Sequence, residues 1–229
     1  MHISGSGHIP AGEYNDKISI SGSGSLDGNV RCTAFSASGS AHCVGDLACT
    51  EDIRVSGSGH FGGSVTSNDM EVSGSASVGG NVKCGILHGA GSIRVEKGIE
   101  AEEFRSAGSL RCGGLLNAET VDVIVEQNSH SEVGSIGGGE IRIHRREKNR
   151  TEKRRLPLLA RLLGGHSTDG SLTVSELVEG DVVALECVKA PTVVGRVVAI
   201  GADCEIGLVQ YTEECEIHPD ARVERCEQI

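Results

Sequence analysis

Tryptophan is absent from this sequence, and Phe 3 and Tyr 2 are all that remain of the large rings. That scarcity excludes the ring-filled interior of an ordinary α/β globule and leaves a core of Val, Ile, Leu, Ala and Cys. Such small side chains suit a narrow, regularly layered interior. Positive charge is also short, with Lys+Arg 21 against Asp+Glu 32 and a formal net charge of -11. Nucleic acid is therefore not expected as a partner, because phosphate contacts need clustered cations on the binding face. No apolar run approaches the roughly 20 residues of a membrane span, and no basic region followed by an apolar stretch opens the chain. The expectation is a cytoplasmic protein. No CxxC pair occurs, which removes the usual zinc and thioredoxin-like signatures. The nine cysteines, an odd number without a secretory signal, read as reduced thiols.

What the chain has in excess is glycine, 33 in all, and it recurs in register. The motif appears as Ser4-Gly5-Ser6-Gly7, Ser21-Gly22-Ser23-Gly24, Ser38-Gly39-Ser40-Ala41, Ser56-Gly57-Ser58-Gly59 and Ser73-Gly74-Ser75-Ala76, then as Ala90-Gly91-Ser92 and Ala107-Gly108-Ser109. The interval from one start to the next is 17 throughout, except for a single 18 between Ser38 and Ser56. That exception lies where Thr50-Glu51-Asp52 replaces the shorter Thr33-Ala34.

Stacking the repeats sorts residues by polarity. One column reads Ile9, Leu26, Cys43, Phe61, Val78, Val95, Cys112, and a second Val30, Leu47, Val65, Val82, Ile99, Leu116. A third reads Cys32, Cys49, Ser67, Cys84, Ala101, Ala118, and a fourth Ile18, Phe35, Ile53, Met70, Leu87, Phe104, Val121. Within a repeat the apolar positions alternate with the period of a strand, and the Ser/Gly corners separate short stretches of it. Short strands at a fixed period are satisfied when each pairs in parallel with its counterpart one turn on, so that each column becomes a ladder of like side chains. The expected fold is all-β, a parallel β-helix whose coil length is the interval between Ser-Gly corners. Leucine-rich repeats need about 20 residues or more, and hexapeptide helices need a six-residue sub-period that is missing.

The pattern weakens after Val121-Asp122-Val123-Ile124-Val125. Nine basic and two acidic residues then fall between Arg142 and Arg161, leaving 12 basic against 30 acidic elsewhere. This stretch runs into Leu156-Pro157-Leu158-Leu159-Ala160-Arg161-Leu162-Leu163-Gly164-Gly165, which predicts a short helix with Pro157 in its first turn and a glycine pair as its stop. Strand-like sequence resumes after Gly170, with Cys187 to Cys204 and Ile206 to Val223 both spanning 17. Three regions follow: an N-terminal β-helix over 1–144, a basic linker and short helix over 145–170, and a C-terminal β-helical portion over 171–229.

The serial Ser-Gly-Ser-Gly corners, the turns Leu26-Asp27-Gly28-Asn29-Val30 and Val78-Gly79-Gly80-Asn81-Val82, and the regular rhythm of the coils resemble the bactofilins, polymer-forming cytoskeletal proteins of bacteria. The stretch from Val193-Val194-Gly195 to Val209-Gln210-Tyr211 is similar to longer members from spore-forming bacteria. The resemblance implies a right-handed β-helix that stacks end to end into non-polar filaments without nucleotide and associates with membranes. The basic insertion and second strand-rich portion depart from members with one helical core between disordered tails.

Candidate sites follow from that reading. An open coil presents unpaired backbone groups and an apolar cross-section, so Ile3, Ile9 and Val223 are the candidate polymer contacts, with Arg222-Val223-Glu224-Arg225-Cys226 as a charged partial cap. Arg145, Arg146, Arg154 and Arg155, with Leu158, Leu159, Leu162 and Leu163, are candidates for docking on the inner face of the cytoplasmic membrane or on a partner, charge and apolar burial acting together. The same segment also reads as a linker or a helix lying on the acidic rod. The Cys32, Cys49, Cys84 column could be a metal or redox ladder, but free cysteine in an apolar column reads as packing. His42 and His60 face outward on neighbouring rungs between Ser25 and Ser77, with no third metal ligand in register. No carboxylate pair or Ser/His/Asp set assembles, so no catalytic residue, cofactor or metal is assigned. The expected function is a self-polymerising cytoskeletal scaffold, a homopolymer rather than an enzyme. The alternative is a β-helical enzyme or binder of the hexapeptide acyltransferase or carbonic anhydrase kind.

Overall fold

A computed structural model describes residues 1–146 and 170–229. Its 25 strands, from His2–Ile3 to Arg222–Gln228, form one sheet. Every recorded strand pairing is parallel. Among the described residues there is no helix. This is the parallel β-helix, and the expected columns are its ladders.

The first column pairs as Ile9, Leu26, Cys43, Phe61, Val78, Val95, Cys112, Val133 and Val174. Thr173 beside Lys189 carries it on to Ala190, then Ile206 and Val223. Twelve positions mean about 12 turns, or roughly 55 Å of rod at the spacing of paired strands. The second and fourth columns are likewise continuous, the second reaching Cys226 and the fourth Cys215.

Two further inward columns flank the Ser-Gly corner, and they share volume. One holds Ile3, Ile20, Ala37, Val55, Val72, Gly89 and Ser106. The other, four positions on, holds Gly7, Gly24, Ala41, Gly59, Ala76, Ile93 and Leu110. A large residue in one faces a small one in the other: Ile20 with Gly24, Gly89 with Ile93. At Ala37 with Ala41 neither is large, and each contributes one methyl. A Cβ on Gly24 would lie 2.7 Å from Ile20 Cδ1, and one on Gly89 would overlap Ile93 Cδ1. The lumen therefore has a shared capacity at each turn, split differently from rung to rung.

The corners explain the rest of the repeat. A Cβ at Gly39 would overlap the Gly22 carbonyl oxygen, and one at Gly74 the Gly57 carbonyl oxygen. Backbone meets backbone there, and only glycine fits. The opposite corner is held by side chains that accept the next rung's N–H. Asn29 Oδ1 accepts from Asp46 N (2.9 Å), Asp46 Oδ1 from Ser64 N (2.7 Å), Ser64 Oγ from Asn81 N (3.2 Å) and Asn81 Oδ1 from Gly98 N (3.1 Å).

Coil length changes after Val125. Arg111 pairs with Glu132, a longer step than any before it. The added length is a turn in which Ser129 N donates to the Glu126 carbonyl and Asn128 takes φ 61. His130 pairs with Ser171, so the strand His130–Arg145 stacks directly on the material after Gly170. The later coils step from Leu172 to Val188, from Val182 to Val197, from Lys189 to Glu205 and from Glu205 to Arg222, shortening by one position and then lengthening by one twice. The Ile206–Val223 spacing is thus a register pair. The Cys187–Cys204 spacing is not, because the coil there is one position shorter and closes through left-handed residues, Cys187 (φ 58) and Asp203 (φ 57). The expected helix around Leu156 to Leu163 lies outside the described residues.

Candidate assembly edges

The first and last described turns have a β partner on one side only. His2–Ile3 pairs with Ile18–Ile20, and Arg222–Gln228 pairs with Glu205–Ile217. Lumen columns therefore surface there. At the first turn Met1 is exposed and Ile3 half-buried, whereas Ile9 is wholly buried. Tyr14 accounts for part of the difference: it packs on the core, and its hydroxyl donates to the Pro10 carbonyl at 2.7 Å. The Met1 amino group donates to the Lys17 carbonyl at 2.6 Å. At the last turn Val223 and Cys215 are half-buried, while Ile217 and Cys226 are exposed. Ile3 and Val223 are thus accessible at opposite edges, and Ile9 supports its turn from inside. Ile217 was missed because its column, begun by Ile3, was not traced in the sequence.

The basic candidates separate. Arg145 is buried at the end of its strand: its Nε donates to Cys187 Sγ at 2.9 Å, its guanidinium pairs with Asp203, and its backbone N–H donates to Glu186 Oε2 at 3.1 Å. That charge is spent within the rod. Arg146 is exposed and paired with Glu126 at 2.5 Å. Arg154, Arg155, Leu158, Leu159, Leu162 and Leu163 lie outside the described residues.

Beside Arg145 sits a partly buried ion pair that periodicity did not reveal. His144 Nε2 faces Asp122 Oδ1 at 3.0 Å, and its Nδ1 faces the Arg145 carbonyl at 2.9 Å. A carbonyl and a carboxylate both accept, so this geometry calls for protons on both ring nitrogens. Burial opposes the charge on His144, but the hydrogen bonds to Asp122 and the Arg145 carbonyl, with the charges of Asp122 and Glu186, hold its pKa above the ordinary value. Burial likewise opposes ionisation of Asp122, and the His144 hydrogen bond with the nearby cations holds its pKa below the ordinary value.

His42 and His60 are exposed and stacked, ring centroids 5.0 Å apart and 3° from parallel. Together with Ser40, Ser58, Ser75 and Arg94 they line an open groove of about 400 Å³ whose lining includes no carboxylate. Seven of the nine cysteines are buried; Cys215 and Cys226 are the others. Burial pushes the Cys84 thiol up to about 12. No cluster of three or more His, Cys, Asp or Glu side chains placed to hold a metal occurs among the described residues. Nor is any helix among them long and apolar enough to cross a membrane.

Comparison with known proteins finds a family that the first part of the chain resembles. Residues 1–83 match the family model for Bactofilin, described as polymer-forming cytoskeletal. The resemblance read from the corners is thereby shown over those residues. The chain is also 34% identical over 111 residues to the uncharacterized protein YhbE of Bacillus subtilis (strain 168), covering 48% of this chain and 41% of that one. It is 32% identical over 110 residues to the uncharacterized protein YhbF of the same strain, covering 48% of this chain and 40% of that one. The chain thus spans about four-tenths of the length of these curated relatives. No solved structure matches it.

Proposed function

We propose that this chain, bactofilin-like over residues 1–83, is a structural subunit that polymerises end to end without nucleotide or metal and carries out no catalysis. The observation that supports this is the pair of one-sided turns. Ile3 at one edge, and Ile217 and Val223 at the other, belong to columns that are buried along most of the rod where a further turn covers them. Unpaired strand edges with apolar lumen residues behind them are templates for another copy. Stacking would continue the ladders and remove those side chains from water at about 25 cal/mol per Å² of apolar surface. Electron microscopy of the purified chain in buffer free of nucleotide and chelated of metal should show filaments. A sharp monomer at high concentration refutes the proposal, and stoichiometric zinc by elemental analysis would point to a β-helical enzyme instead.

The same reading places the protein in the cytoplasm, with the basic segment adsorbing the polymer to anionic lipid. With Arg145 engaged by Asp203 and Cys187, the cations available to lipid lie beyond it in the chain. Deleting residues 147–165 should abolish co-sedimentation with anionic vesicles while leaving filaments intact; unchanged sedimentation removes the membrane role.

A further inference from the structure

The fourth and second lumen columns are filled along the rod by bulky aliphatic or aromatic residues. The fourth runs Ile18, Phe35, Ile53, Met70, Leu87, Phe104, Val121, Ile141, Val183, Val198. The second runs Val30, Leu47, Val65, Val82, Ile99, Leu116, Ile136, Val178, Val193, Val209. Both end in cysteine, on successive rungs: Cys215 beneath Val198 and Cys226 beneath Val209. Their sulfur atoms lie 3.6 Å apart across the open lumen, with Cys226 exposed and Cys215 half-buried. The pair Cys32 and Cys49 is as close, 3.4 Å, but sealed within the rod. Proximity alone is therefore not what sets Cys215 and Cys226 apart; solvent access is.

We propose that Cys215 and Cys226 form a redox modification site, closing as an intramolecular disulfide across the mouth of the last turn by exchange with a low-molecular-weight disulfide. Cys226, the exposed partner, attacks one sulfur of the oxidant as its thiolate, forming a mixed disulfide and expelling the first small thiol. Cys215 then gives up its proton, attacks the Cys226 sulfur and expels the second. The two cysteines lose two protons and two electrons, and the oxidant is reduced to two thiols. Burial and the Cys226 contact push the Cys215 thiol up to about 12, which fits it to the resolving role rather than the attacking one. The sulfurs need to approach from contact distance to a bond of about 2 Å, a movement open to a turn that is paired on one side only among the described residues. The site is that of an unstacked rod end, since another copy stacked there would cover it, and the dilute chain is the state in which it closes.

The test uses the full chain, dilute, fully reduced and then exposed to oxidised glutathione, with alkylation, intact mass and peptide mapping. One cross-link joining Cys215 to Cys226 within a chain is expected, with loss of two hydrogens. Cys32 and Cys49 should remain alkylatable once the protein is denatured. Amide exchange in the turn between the two cysteines should slow roughly 100-fold, the effect of closing so short a loop. Cys226→Ser and Cys215→Ser should each remove the cross-link, and neither should change the unfolding midpoint of the reduced rod. Absence of the cross-link, bonds only between chains, or oxidation of Cys32–Cys49 at an equal rate overturns the proposal.

Discussion

If the lumen has a shared capacity at each turn, Ile20 and Gly24 are energetically one unit. Ile20 is fully buried, and a Cβ on Gly24 would sit 2.7, 3.0 and 3.1 Å from its Cδ1, Cγ1 and Cγ2. Three atoms of one branched side chain cannot all yield, so Gly24→Ala alone should cost about 1–3 kcal/mol as overpacking. Ile20→Ala alone opens a cavity and should cost about 2–5 kcal/mol. With Ile20 truncated, the methyl added at Gly24 enters empty space. It then buries one carbon, worth about 0.8 kcal/mol, and removes the unfolded-state freedom of glycine, worth about 0.4–1 kcal/mol. The same substitution thus changes sign, and the coupling between the two positions is about 2–5 kcal/mol in favour of the double variant. The double variant has a natural counterpart one turn on, where Ala37 and Ala41 occupy the same two columns. Equilibrium denaturation of the four proteins, with amide exchange in the flanking strands, measures the coupling. Additivity within about 0.5 kcal/mol would show that the two columns do not trade volume.

The His144–Asp122 pair gives a pH signature. With the His144 pKa raised from 6.5, its contribution is complete below that value and is lost as pH rises through the folded one. With the Asp122 pKa lowered from 3.8, its contribution is present above that value and is lost as pH falls through the folded one. Chemical denaturation across the acid-to-alkaline range should therefore show a plateau between the two limits that Asp122→Asn narrows on the alkaline side; an unchanged alkaline slope would mean that the carboxylate does not hold the imidazolium. In the column of Ile3, Ile217→Lys at the edge should block filaments with little change in melting, whereas Val72→Lys, fully buried mid-rod, should unfold the coil. Equal effects on assembly and melting would detach the edges from polymerisation.

The lumen was legible because a parallel, in-register stack writes the same residue class at a fixed interval. Ile9 to Cys112 could be read as one column before any pairing was seen. Legibility failed wherever the coil length changed. The turn at Asn128 and the shorter coils after Gly170 shift the interval, and a strict repeat then pairs Cys187 with the wrong neighbour. It failed as well for the columns beside the Ser-Gly corner, where side chains range from glycine to isoleucine and the signal lies in the sum of two positions. The edge thiols leave only a local trace, since Val198 to Cys215 and Val209 to Cys226 are both 17, but the columns read as far as Val121 and Leu116 do not reach them at a fixed interval. The Arg145–Asp203 and His144–Asp122 pairs left no periodic trace, because each joins residues that occur once.

The charges on one outer column bear on how rods join. Like charges stacked on adjacent rungs repel. The outward column of Arg54, Glu71, His88, Arg105, Asp122 and Arg142 avoids this, since no two carboxylates and no two guanidinium groups are neighbours in it. The last turn has no such balance. Residues 213–229 hold Glu213, Glu214, Glu216, Asp220, Glu224 and Glu227 against Arg222 and Arg225, and Arg225 is already paired with Glu227. Two such turns meeting face to face, as a non-polar filament requires, would bring acidic rims together at roughly 5 Å, a repulsion of about 1 kcal/mol per pair at the dielectric of water. Salt screens charges beyond about 8 Å at physiological strength and closer ones as it rises. Assembly through this face should therefore strengthen with added salt, and Glu214→Gln/Glu216→Gln/Glu224→Gln should remove much of the dependence. Filaments that weaken as salt rises would require the acidic turn to meet an oppositely charged surface, and the non-polar arrangement would be wrong for this chain.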